Sequence, residues 1–169
     1  MKTKKDSRDG NGLIVVGVDS SEGGKAALRF ALEEARLRQA TLRVVHTWQF
    51  GYIGVSGIEG FAPVVGADLG DLRRTAEIAL DAVMHEVVPS SGGIAIERRV
   101  SEGAPATVLV DESRQADLLV VGSRGHGGFA GLLLGSVSQQ CAHHAACPVV
   151  IVPARTKVKA ADLADVPGT

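Results

Sequence analysis

Residues 118–138 read LLVVGSRGHGGFAGLLLGSVS, and Gly122, Gly125, Gly127, Gly128, Gly131 and Gly135 recur until Ser136. Small residues running into a helix start make an anion site, because the first-turn N–H groups lack intrahelical partners and the helix dipole is positive there. Phosphate is the obvious anion. Three familiar loops do not fit the residues. A Walker loop needs Gly-Lys-Ser or Gly-Lys-Thr at the helix start, where this chain has Gly135-Ser136-Val137. The three-glycine dinucleotide pattern begins at Gly125 and Gly127 but meets Ala130 at its third position. A nucleophile elbow fails because Ser123 and Ser136 each follow glycine directly. Taken bare, the same glycines also describe a surface loop.

Other chemistry-bearing residues are few. Asp19-Ser20-Ser21 suits the capping of a helix, and Asp19 reads equally as a cap or as a ligand contact. His46 reads as a core or strand-end histidine, since no second metal-type residue is spaced to join it. Adjacent His143 and His144 point in different directions on a helix and make no zinc pair. Arg124 and His126 lie inside the glycine loop, where both could face phosphate or simply be solvated. The glycine loop holds no carboxylate to position an attacking water, so any phosphate chemistry would be weak or need outside help. Cys141 and Cys147, six apart, lack metal-ligand spacing and read as reduced, buried thiols.

These residues must be placed by the elements around them. A chain of 169 residues suits one domain that buries roughly 70% of its unfolded surface. Its 18 Lys and Arg against 19 Asp and Glu give a net charge of −1, so no basic field favours nucleic acid or an anionic membrane. With no apolar leader and no run near the ~18 apolar residues of a membrane span, the expectation is a cytoplasmic protein.

Residues 1–12 are charged and aperiodic, a disordered lead-in. A first strand over 13–18 ends at the Asp19 cluster, followed by a helix to about Arg38 with Leu28, Ala31, Leu32 and Ala35 on one face. A second strand covers 41–47. The insertion at 48–67 holds four of the six aromatics, Trp48, Phe50, Tyr52 and Phe61, and suits a lid, a binding loop, a partner surface or a loop tacked down by its own rings. A second helix spans about 69–88, with Leu72, Ala76, Leu80, Val83 and Val87 on one face and Pro89 as its stop. A third strand over 94–100 is interrupted by Arg98 and Arg99 and looks less buried. Pro105 opens a third helix that lasts to about Gln115. The apolar run 118–121 suits a strand buried on both faces, and the last helix, capped by Ser136, covers about 137–146 with Val137, Cys141 and Ala145 on one face. A fifth strand at 148–152 precedes a tail, 154–169.

Five strands alternating with four helical connections give an α/β fold, a single open five-stranded parallel sheet with helices on both faces and right-handed crossovers. In such sheets ligands bind beyond the strand ends where the order reverses. The first strand ends at Asp19 and the fourth at Gly122. That places these two strands side by side with the crevice between them.

The pattern over 13–153 resembles the universal stress protein family, in particular its ATP-binding branch. That branch carries glycine, two residues, glycine, nine residues, glycine, then serine or threonine, and Gly122, Gly125, Gly135 and Ser136 stand at those spacings. Val18-Asp19-Ser20, His46, the run from Gly122 to Gly127 and the run from Cys147 to Val152 support the match. The resemblance implies an adenine nucleotide alpha hydrolase-like fold and an adenosine site, with Val18, Asp19 and Thr47 at the nucleobase end. It implies Val121, Gly122 and Gly125 along the ribose and first phosphates, and Gly135, Ser136, Val137 and Ser138 at the distal phosphates. Gly122 and Gly125 would let the backbone approach the ligand, and Ser136 could reach a phosphate-bound Mg²⁺, with no metal held by protein alone. The implied ligand is ATP and the implied assembly a homodimer through the fifth strand. The implied role is a nucleotide-dependent regulatory or stress-response module with little or no hydrolysis. A cyclic-nucleotide reader and a non-nucleotide interaction module of the same fold are the alternatives. An adenylating enzyme would carry a Ser-Gly-Gly-x-Asp-Ser loop, of which only Asp19-Ser20 is present.

Overall fold

A computed structural model describes residues 12–49, 69–125 and 134–154. The lead-in, most of the aromatic insertion, His126 and the tail lie outside the described residues. The elements are β1 (Leu13–Gly17), α1 (Glu22–Arg38), β2 (Thr41–Trp48), α2 (Leu69–Val87), β3 (Ile96–Glu102), α3 (Pro105–Ser113), β4 (Leu118–Gly122), α4 (Ser136–His144) and β5 (Val149–Val152).

All described strand pairs are parallel, in the order β3-β2-β1-β4-β5. Parallel strands need a covered surface on both sides, which explains the unbroken apolar runs of β1 and β4. Ile14, Val16, Leu42, Val44, Leu118 and Val120 point to one face, against Leu28, Ala31 and Ala35 of α1 and Leu80 and Val83 of α2. Val15, Val45, Leu119 and Val121 point to the other, against Leu109 of α3 and Cys141 of α4. Leu28 is fully buried, so Leu28→Ala would cost about 2–5 kcal/mol through lost transfer energy and a cavity.

Helix α1 starts at Ser21, whose hydroxyl accepts from the Gly24 N–H at 3.1 Å. Glu22 in its first turn and Arg36 and Arg38 in its last complement the dipole. It stops at Gln39, which adopts a left-handed conformation with φ 54°. The helix faces expected from spacing are largely the buried ones, with Leu72 of α2 half-buried.

Most element ends lie within a residue or two of the sequence reading, and two of the differences have a local cause. Ile94 lies ahead of β3, buried in a turn that follows Gly92 and Gly93, both at positive φ. The pairing with β2 begins at Ile96 opposite Leu42. Ser136 is the first residue of α4, and the capping position belongs to Gly135, which offers no side-chain hydrogen bond.

β3 and β5 are the sheet edges. Three of the charged side chains on β3 are paired: Arg98 with Asp81 at 2.8 Å, Glu97 with Arg43 at 2.7 Å and Arg99 with Glu112 at 3.0 Å. Glu112 on α3 is buried, and its other oxygen takes Arg43 at 2.9 Å, so both oxygens are matched. Burial lowers the Arg43 pKa, but the hydrogen bonds it donates to Glu97 and Glu112 outweigh it and hold the guanidinium above its ordinary value.

Candidate functional site

β1 is the point at which the strand order reverses, with β2 and β3 on one side and β4 and β5 on the other. Beyond the carboxyl ends of β1, β2 and β4 lies a crevice with a volume of about 260 Å³. Helices in a parallel sheet begin where strands end, so α1, α3 and α4 all start around this crevice, represented in its wall by Gly24, Pro105 and Ser136.

The three helix starts are electrostatically different. α1 is capped by Ser21, and Asp19 supports that cap by accepting from the Ser21 N–H at 3.1 Å and from its hydroxyl. Neither Ala104 of α3 nor Gly135 of α4 makes a side-chain cap. In α4 the first intrahelical bond runs from Gln139 N to Gly135 O at 3.0 Å, so the Ser136, Val137 and Ser138 N–H groups precede the ladder. Two uncapped positive helix ends therefore meet at one cavity.

The turn into α4 is tightly built. Ser123 O accepts from Gly135 N at 2.7 Å and from the Ser138 hydroxyl at 3.0 Å, and that hydroxyl also lies 2.9 Å from Gly135 O. Ser138 is fully buried and spends its donor on the loop itself. Its hydroxyl holds the helix start in place, and the residue also lines the crevice. Ser136 is exposed at the crevice.

The glycines also divide by role. A Cβ on Gly122 would lie 2.6 Å from the carbonyl carbon of Gly23, so β4 needs glycine there to let α1 approach. Its missing side chain is filled by the backbone of α1, and Gly122 itself remains in the crevice wall. A Cβ on Gly125 would lie 2.7 Å from Asp19 Oδ2. Gly135 is unlike both, with ordinary space around a Cβ, the nearest atoms being at 3.5 Å, and φ −77°.

Val18, Asp19, Thr47, Val121, Gly122, Arg124, Gly125, Gly135, Ser136, Val137 and Ser138 all line the crevice, while His126 lies outside the described residues. Sequence reasoning missed Gly17, Gly24, Val45, Pro105 and Leu109 as lining residues and gave His46 no place there. Val45 enters because its register in β2 sets it opposite Gly17, the last residue of β1. Pro105 and Leu109 enter through the packing of α3 across the sheet, and Leu109 occupies the space that a Cβ on Gly17 would take.

The family model described as "Universal stress protein family" matches residues 11–153. The chain belongs to the universal stress protein family. A universal stress protein of Mycolicibacterium smegmatis is 34% identical over 142 residues, which cover 84% of this chain and 46% of that protein. This stress protein chain thus spans about half the length of the curated relatives it matches. Among solved structures, a universal stress protein in complex with cAMP is 27% identical, with a TM-score of 0.61 and coverage of 86% of this chain and 98% of that one. The universal stress protein of Archaeoglobus fulgidus in complex with dAMP is 26% identical, with a TM-score of 0.57 and coverage of 82% and 95%.

Proposed function

We propose that this universal stress protein binds an adenine nucleotide in the crevice and acts as a nucleotide-dependent regulatory module, with ATP as its ligand. The observation that carries the reading is the meeting of two uncapped helix starts, α3 and α4, at a cavity over the strand-order reversal. Such ends favour anions through their orphan N–H groups and their dipoles. Arg124 in the same wall adds a cation. The cAMP and dAMP complexes of related chains support adenine as the base. The nucleoside lies towards Val18, Asp19 and Thr47, and the phosphates lie over Gly135, Ser136 and Val137. The exposed Ser136 hydroxyl is available to a phosphate or to its Mg²⁺.

Turnover is slow or absent in this reading. Asp19 is the carboxylate among the described lining residues, and its Oδ1 is engaged by Ser21. It sits ahead of α1, where it braces the Ser21 cap. The cAMP-bound relative favours a second reading, in which the same crevice takes a cyclic nucleotide. The assembly we propose is a homodimer through β5, an edge strand whose four apolar residues are all half-buried. Mass spectrometry of the nucleotide that copurifies with the protein tests the ligand. ATP is expected, cAMP would promote the second reading, and a purified protein that carries none and binds neither when supplied would refute both.

A further inference from the structure

The parallel ladder between β1 and β2 runs from Leu13 opposite Thr41 to Gly17 opposite Val45. One further bond follows, from Val18 N to Val45 O at 2.9 Å. The carbonyl of Val18 is the next acceptor, at the point where the chain leaves the sheet for α1. A side chain meets it: His46 Nδ1 lies 2.9 Å from Val18 O. A carbonyl only accepts, so Nδ1 must carry a hydrogen, and the neutral ring is the Nδ1–H tautomer with Nε2 left as an acceptor. His46 is half-buried and lines the crevice beside Val18 and Asp19.

That bond holds the carbonyl of the peptide that joins Val18 to Asp19. The Asp19 side chain is held separately by Ser21, which donates to Asp19 Oδ1 from both its N–H and its hydroxyl. Glycines close in around the aspartate: a Cβ on Gly24 would lie 2.7 Å from Asp19 O and 2.8 Å from its N, and one on Gly125 would lie 2.7 Å from Oδ2. With so little slack, the direction of the Asp19 carboxylate follows the tilt of the preceding peptide. His46 sets that tilt.

We propose that His46 is a positioning residue, holding the Val18 carbonyl through Nδ1–H and so aiming the end of β1 and Asp19 at the nucleoside. The ligand part of the proposal rests on the nucleotide reading above, whereas the hydrogen bond to Val18 does not. Two substitutions separate the ring nitrogens, because Asn carries a donor near the place of Nδ1 and Gln carries one near the place of Nε2. His46→Asn should keep the tie and His46→Gln should lose it.

Amide hydrogen exchange at Val18, measured without nucleotide, should be faster in His46→Gln and close to wild type in His46→Asn. Calorimetric titration should show His46→Gln weakened about tenfold for adenosine and for ATP alike, the worth of one ordinary hydrogen bond. His46→Asn should stay within about threefold of wild type. Equal exchange in the two variants, or equal affinity losses with a shared fall in melting temperature, would overturn the assignment and leave His46 as a space-filling residue. If wild type binds neither adenosine nor ATP, the nucleotide reading fails by itself, and the exchange comparison still decides whether His46 holds Val18.

Discussion

Replacing Gly135 with serine should make the protein slightly more stable and a worse nucleotide binder. Gly135 occupies the capping position of α4 with φ −77° and ψ 165°, the extended geometry that capping serines adopt. A Cβ there meets nothing closer than Ser123 O and the Arg124 Cα, both at 3.5 Å, so the new side chain fits without displacing the loop. Its oxygen can then accept from the N–H of Val137 or Ser138, which precede the first intrahelical bond. Serine exceeds glycine at this position by a few tenths of a kcal/mol, or about 1 °C in melting temperature. The same hydroxyl competes with phosphate for an N–H donor. A charge-assisted hydrogen bond contributes about 1.5–3 kcal/mol, so ATP affinity should fall by about one to two decades. Thermal denaturation paired with calorimetric titration reads both effects. A Gly135→Ser protein that gains stability and binds ATP as tightly as wild type would refute the placement of phosphate at the α4 start.

Gly122→Ala should act on the fold, because its Cβ would press on the carbonyl carbon and oxygen of Gly23 at 2.6 and 2.7 Å. The overpacking should cost about 1–3 kcal/mol in chemical denaturation, and an unchanged midpoint would contradict the packing of α1 on β4. Burial pushes the Cys141 thiol up to about 11 and also raises Cys147. The folded state therefore holds its protons longer than the unfolded chain. The resulting stability is present in full below the ordinary thiol range and should be lost as pH rises from about 9 to 11, by about 2–3 kcal/mol for Cys141. Cys141→Ala should flatten that slope, and an equally steep decline in the variant would assign the effect elsewhere. Light scattering should show a dimer at micromolar concentration, and a monomer would remove β5 as an interface. Val150→Lys is a poor probe of that interface, because Val150 packs on the α1 side of the core.

The buried parts of the fold were legible because apolar runs and helical spacing report burial directly. The runs at 14–16 and 118–121 gave the central strands, and the acidic and glycine endings at Asp19 and Gly122 led to their pairing, seen as Ile14 opposite Leu118. Arg98 and Arg99 mark the third strand as less buried, and it is a sheet edge whose central residues are exposed. The lining residues expected from the glycine motif were legible for the same reason, since they follow strand ends in sequence. What the sequence hid depends on tertiary contact. The α3 face that brings Pro105 and Leu109 to the crevice is chosen by packing across the sheet, and spacing along the chain carries no signal of it. The distinct tasks of Gly122, Gly125 and Gly135 depend on which atoms approach each Cα, and one-letter code writes all three alike. His46 reads from sequence as a core or strand-end histidine, and what the sequence hides is its partner, a backbone carbonyl 28 residues away.

Calorimetric titration of the wild-type protein with ATP, AMP and cyclic AMP tests the central claim most directly. If the orphan donors of α4 hold phosphate, ATP should bind at least about tenfold more tightly than AMP, since one added charge-assisted bond supplies that factor. Equal affinities for ATP and AMP would contradict the phosphate assignment, and the absence of binding by all three would contradict the nucleotide reading itself.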